Sequence, residues 1–219
     1  MDVYRTEEEQ IAAIKSWWKD NGLMIVGAVL LAVAVFAGWK WYQHHERTKS
    51  LAAAGLYQTM MQSWQEVLAG GSTAVDAEAR MAKAGEELAT GYGDTPYARF
   101  AALVLAARAV EKDDLTGAEQ KLRAVIAGDD GDAVATIATH RLAQVLSAQG
   151  KHDDALALLV SEVAPEFAAA REETRGDILL AQGKRAEARA AWQKALDTAA
   201  PRDPARMLLE MKLAYVAGE

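Results

Sequence analysis

The chain has 219 residues, 24 Lys/Arg against 31 Asp/Glu, and no cysteine. That acidic balance leaves no electrostatic footprint for nucleic acid and no polybasic patch for anionic lipid, and the missing cysteine excludes disulfides, thiolate metal sites and a cysteine nucleophile. Alanine is about a fifth of the chain, with 4 prolines and 7% aromatics, which favours helix over strand.

Thr6-Glu7-Glu8-Glu9 reads as a capping box, and Ile11, Ile14 and Trp18 follow at helical spacing. Residues 1–20 are therefore expected to hold a short amphipathic helix lying at a membrane surface, ended by Asn21-Gly22. Asn21 to Trp39 then runs without a charge and is crowded with Leu, Val, Ile and Ala. As a helix it would be about 28 Å long, close to the hydrocarbon thickness of a bilayer. Trp17 and Trp18 before it, and Trp39, Trp41 and Tyr42 after it, sit where amphipathic rings settle at an interface. Residues 21–42 thus read as a transmembrane helix with an aromatic flank. The apolar run is too long for a signal peptide, and no small-residue cleavage site follows it, so the span reads as an uncleaved anchor. Arg5, Lys15 and Lys19 on one side balance Lys40, Arg47 and Lys49 on the other, so charge bias gives no orientation. Gly22, Gly27, Ala28, Ala34 and Gly38 are small residues of the kind that let membrane helices pack closely; Gly27 and Gly38 share one face. Trp17, Trp18, Gly27, Gly38 and Trp39 are the candidate membrane contacts.

Residues 43–219 read as one helical domain. Trp41 to Leu68 keeps helical periodicity through Leu56, Met60, Trp64 and Val67. Gly70-Gly71 ends it, a second helix covers about Thr73 to Ala89, and Thr95-Pro96 opens the next with an N-cap and a first-turn proline. Further turns fall near Asp113, residues 128–131, Gly150, Pro165, Gly183 and Pro201. The segments LAARAVEKDDLTGAEQKL (105–122), LAQVLSAQGKHDDALALL (142–159) and RGDILLAQGKRAEARAAW (175–192) align on Ala118, Ala155 and Ala188, 37 and 33 residues apart. A spacing near 34 is the tetratricopeptide period. Ala106, Ala143 and Gly176 stand twelve residues before these alanines, and Leu122, Leu159 and Trp192 four after. The small residues let paired helices approach, the bulky ones fill the space toward the next pair, and Gly150 and Gly183 take the turn, with Asp113 as a weaker substitute. Pro204 to Val216 suits a capping helix, with Met207, Met211 and Ala214 on its packing face and Arg206 and Glu210 off it. The fold class is all-α: one N-terminal transmembrane helix followed by a degenerate tetratricopeptide-like helical-repeat domain.

No catalytic or metal-binding motif is present. Adjacent His44 and His45 point about 100° apart on a helix and cannot chelate as a pair. Asp129-Asp130-Gly131-Asp132 lacks the spacing and distal glutamate of a calcium loop, and Glu86-Glu87 and Glu172-Glu173 read as solvated helix faces. No acid, base and nucleophile come together, so an enzyme is not expected and no cofactor is implied. Stacked helical hairpins instead form a groove lined by the first helix of each pair. Its candidate partner-binding residues are Phe100, Leu103, His140, Gln144, Glu173 and Asp177, with packing between helices as the alternative for each.

VYRTEEEQIAAIKSWWKDNG, the span after it, and later RGDILLAQGKRAEARAAWQKAL and MLLEMKLAYV resemble the YfgM-type ancillary subunit of the bacterial SecYEG translocon. The resemblance covers nearly the whole chain in order. It implies a non-enzymatic inner (cytoplasmic) membrane protein with a cytoplasmic N-terminus and a periplasmic tetratricopeptide-like domain. The implied partners are the SecYEG channel and the membrane-anchored periplasmic chaperone PpiD, together with polypeptides emerging from the channel. A membrane-anchored tetratricopeptide adaptor of another envelope assembly is the alternative function.

Overall fold

The computed structural model describes residues 7–128 and 132–217, so Thr6 of the expected capping box and residues 129–131 of the expected turn lie outside the described residues. The described residues form α-helices only: α1 (Glu7–Ala69), α2 (Ala74–Gly91), α3 (Pro96–Glu111), α4 (Leu115–Ala127), α5 (Ala133–Ala148), α6 (His152–Leu158), α7 (Pro165–Ala181), α8 (Arg185–Thr198) and α9 (Ala205–Ala217). The chain divides into two compact units, Met1–Leu51 and Ala52–Glu219.

The first unit is the larger part of α1. Asn21-Gly22 does not break it. The Asn21 side-chain amide donates to the Trp17 carbonyl at 3.0 Å, one turn back. Gly22 lies under the Trp18 indole, which covers it. A glycine costs a helix interior about 1 kcal/mol, which neighbouring turns of good helix formers offset. The most apolar 18-residue stretch of this helix is 6% buried, against the near-complete burial expected of a core helix in a soluble protein.

The second unit is a stack of helical hairpins around successive apolar clusters. Ala53 and Met60 of α1 meet Met81 and Leu88 of α2 and Ala98 and Ala101 of α3. Leu103, Leu122, Leu142, Leu146 and Leu159 join α3 through α6. Leu179, Ala188, Trp192 and Leu209 close the stack through α7, α8 and α9. Burying each large side chain stabilises the fold by about 1.5–3 kcal/mol. The repeat positions carry this packing: Ala118, Ala155 and Ala188 are all 0% exposed. Asp113, Gly150 and Gly183 share one left-handed turn, at φ of 62°, 79° and 77°. At each, the next amide closes back five residues, from Asp114 to Ala109, Lys151 to Leu146 and Lys184 to Leu179. Side-chain caps start three helices: Thr95 accepts from the Ala98 amide, Asp114 from Gly117 and Asp132 from Ala135.

Two sequence expectations change here. In α9 it is Leu209, Leu213 and Val216, at helical spacing, that pack on the α8 side. Met207 and Met211 stay 71% and 57% exposed, so the terminal helix turns its methionine face to solvent. Glu172 is not on a solvated face: it is buried and paired with Arg171 at 3.0 Å and Lys194 at 2.9 Å. Burial opposes its ionisation, yet the Lys194 and Arg171 bonds outweigh that and hold its carboxyl below the ordinary 4.5.

Candidate functional site

Each unit presents a surface to a partner. On the first, Trp17, Trp18 and Trp39 are 56%, 54% and 58% exposed, and a Cβ added at Gly27 or Gly38 would meet nothing within 4 Å. The helix therefore presents rings at both ends of its apolar stretch and two flat glycine positions between them.

On the second, a cleft of about 270 Å³ opens between α3 and α5. Its floor comes from Ala106, Leu122 and Val145, all buried, with Leu115 of α4 at one end. Ala107 and Val110 of α3 form one lip, and Arg141, Gln144 and Ala148 of α5 form the other. The lips exist because residues three and four apart share a helix face, so 107 and 110 align on α3 as 141, 144 and 148 align on α5. Val110 is 43% exposed, which leaves an apolar side chain wet at the mouth.

Of the six residues expected at a partner groove, Gln144 lies on this cleft. Phe100 sits on the same helix as its first lip, 39% exposed, with its ring 6.4 Å from that of Tyr57. Leu103 is buried in the core that joins α3 to α6. His140 is buried as well, its ring set edge-on to Phe167 at 6.5 Å beside a second cavity of about 360 Å³. Burial and then the nearby Arg171 charge push the His140 pKa below 6.5, and its buried Nε2 has no hydrogen-bond partner among the described residues.

Glu173 and Asp177 are engaged inside the fold. Lys212 of α9 donates to Glu173 at 2.7 Å and to both Asp177 oxygens at 2.7 and 2.8 Å. Trp192 of α8, 1% exposed, donates its Nε1 proton to Asp177 at 3.0 Å and lies under the Lys212 ammonium at 5.8 Å from the ring centre. Burial works against the lysine charge, but Asp177 and Glu173 more than offset it and hold its pKa above 10.5. These four residues fasten α9 across α7 and α8.

Arg141, Ala107 and Val110 escaped the sequence reading. Their signal was available: 141 shares a face with 144, and 107 and 110 share one with 103, but only the position of α4 beneath them shows that a cleft lies between. No group of three or more His, Asp or Glu among the described residues is placed to hold a metal ion. What the arrangement can do chemically is bind, through an apolar floor with a guanidinium and an amide at its edge.

Comparison with known proteins agrees with this architecture. The family described as tetratricopeptide repeat-like domain matches residues 15–218. A Haemophilus influenzae protein named ancillary SecYEG translocon subunit is 31% identical over 88% of this chain and 90% of its own length. Proteins of the same name from Aggregatibacter actinomycetemcomitans and Neisseria gonorrhoeae are 30% identical over 90% and 28% identical over 97% of this chain, covering 92% and 98% of their own lengths.

Proposed function

Because this chain belongs to the ancillary SecYEG translocon subunits, a tetratricopeptide repeat-like family, we propose that it is a non-enzymatic, single-pass protein of the bacterial inner membrane attached to the SecYEG channel. Residues 1–20 lie in the cytoplasm, 21–42 cross the bilayer, and 43–219 form a periplasmic domain. That domain holds the membrane-anchored chaperone PpiD and meets polypeptides as they leave the channel. The observation that carries the proposal is the joining, in one chain, of a bare apolar helix 6% buried over its core stretch with a helical-repeat stack. The first needs lipid around it; the second is built to offer surface to other chains. The mechanism is proximity. A binding domain tethered beside a channel exit meets its partner at an effective concentration of about a millimolar, so modest and reversible affinity suffices.

Purification at native expression in mild detergent tests the assignment, and SecY with the periplasmic chaperone is the expected recovery. Recovery of neither, or of a different envelope assembly, overturns it. Topology is tested separately by a single cysteine at Ser72 in this cysteine-free chain, since labelling only from the cytoplasm excludes a periplasmic domain. Replacing the span with polyleucine should keep the membrane location and weaken channel recovery. If recovery is unchanged, Gly27 and Gly38 have no role in contact.

A further inference from the structure

We propose that the cleft between α3 and α5 is a docking site for an extended polypeptide segment that carries a large apolar side chain with an Asp or Glu within two residues of it. The inference rests on the reading of the domain as a polypeptide-binding one, and it names the chemistry that such a polypeptide must have. Size gives the first half. A cleft of about 270 Å³ lies below the roughly 300–1,000 Å³ of small-molecule sites, yet it accepts one Leu-, Met- or Phe-sized side chain. Its floor of Ala106, Leu122 and Val145 offers such a chain methyl and methylene contacts and no buried hydrogen-bonding group.

Charge gives the second half. Arg141 stands exposed on the α5 lip and makes no hydrogen bond or ion pair among the described residues. Arginines on nearby surfaces are committed within the fold: Arg99 to Asp132, Arg108 to Glu78 and Glu111, Arg123 to Glu119. A guanidinium left with its planar fork open, beside the Gln144 amide, matches a carboxylate held in two-point contact. Alternate residues of an extended segment point the same way about 6.8 Å apart, which sets the spacing of two residues or fewer. Acidity alone does not bind, because the part of the chain after Tyr42 carries 20 Lys/Arg against 26 Asp/Glu and repels acidic chains in general. The apolar anchor and the carboxylate are both required, and that is a selection rule.

The test uses the full chain in lipid nanodiscs and fluorescence anisotropy with labelled peptides of a dozen residues. One carries a central Phe flanked by Glu; a second replaces Glu by Lys; a third replaces Phe by Ala. The Phe-Glu peptide should bind, and each of the others should bind at least about tenfold more weakly, the scale of a lost anchor or a like-charge contact. Arg141→Glu should reverse the preference toward the Lys peptide. Ala107→Trp, which fills the cleft, and Val110→Lys, which changes only an exposed position, should each abolish binding of the Phe-Glu peptide; the second keeps the test valid if the first misfolds. Equal binding of the Glu and Lys peptides, or binding that survives Val110→Lys, overturns the proposal, as does binding of none of the three. Parallel purification of the Arg141→Glu chain separates the two levels. Retained SecY with no peptide selectivity sinks this inference alone, while wild-type protein that recovers neither SecY nor chaperone sinks the functional reading beneath it.

Discussion

Gly176→Ala places a methyl group where the structure has no room for one. The added carbon would lie 2.4 Å from both Cδ1 and Nε1 of Trp192 and 3.0 Å from Cε2. Real carbon contacts of this kind settle near 3.5–4.0 Å, so α7 and α8 must separate by about 1 Å or the indole must turn. Turning is expensive, because the ring is 1% exposed and its Nε1 proton is held by Asp177 at 3.0 Å and the Glu173 carbonyl at 3.3 Å. Overpacking of a core costs about 1–3 kcal/mol, and a disturbed hydrogen bond about 0.5–1.5 kcal/mol. Against these stands the roughly 1 kcal/mol that alanine gains over glycine in a helix. The net is a loss of about 2 kcal/mol, a fall in Tm of about 4–8 °C for a domain of this size. The assay is far-UV circular dichroism on the full chain in detergent. Gly85→Ala is the matched control: its methyl would lie 2.4 Å from a terminal methyl of Leu105, a flexible side chain that can rotate away. Its Tm should change by less than about 2 °C. A Gly176→Ala variant that is more stable than wild type, or two glycine variants that shift equally, would refute the close approach. Adding Trp192→Leu should cost less in the Gly176→Ala background than alone, since the clash is then relieved.

Lys212→Met removes the cation shared by Glu173 and Asp177, groups 20% and 42% exposed, and after allowance for solvent screening should cost about 1–2 kcal/mol; limited proteolysis should cut first between α8 and α9. Asp113→Gly replaces the non-glycine residue at φ of 62° and should stabilise the fold by about 0.5–1 kcal/mol, read as a raised urea midpoint with unchanged slope. Folding depresses the His140 pKa below 6.5, so the unfolded chain takes up the proton first and stability is lost as pH falls from about 6.5 toward the folded value. His140→Leu should therefore flatten the decline in Tm between pH 7.5 and 5.5, and an unchanged slope would remove His140 from the account.

How much was legible in the chain depends on which neighbour a residue meets. Ala118, Ala155 and Ala188, with their partners at Leu122, Leu159 and Trp192, could be found because both members of each contact recur at one period; all of them are buried. The turn at Asp113, Gly150 and Gly183 was equally readable, since a left-handed φ restricts the residue type wherever it falls. Local propensity predicts a break at Asn21-Gly22 because it carries no account of the Asn21 bond to Trp17 or of the Trp18 ring over Gly22. The packing of Glu173 and Asp177 is hidden in the sequence for a different reason. Their register put them on a free first-helix face, as it does for Gln144, but α9 lies beyond the last recognisable repeat and Lys212 reaches back 35 and 39 residues to take Asp177 and Glu173. The same omission reversed the faces of α9, where Leu209 is 0% exposed and Met207 is not. A repeat specifies contacts within one hairpin and to the next copy. Residues beyond the last recognisable repeat must be assigned from the contacts the folded chain makes.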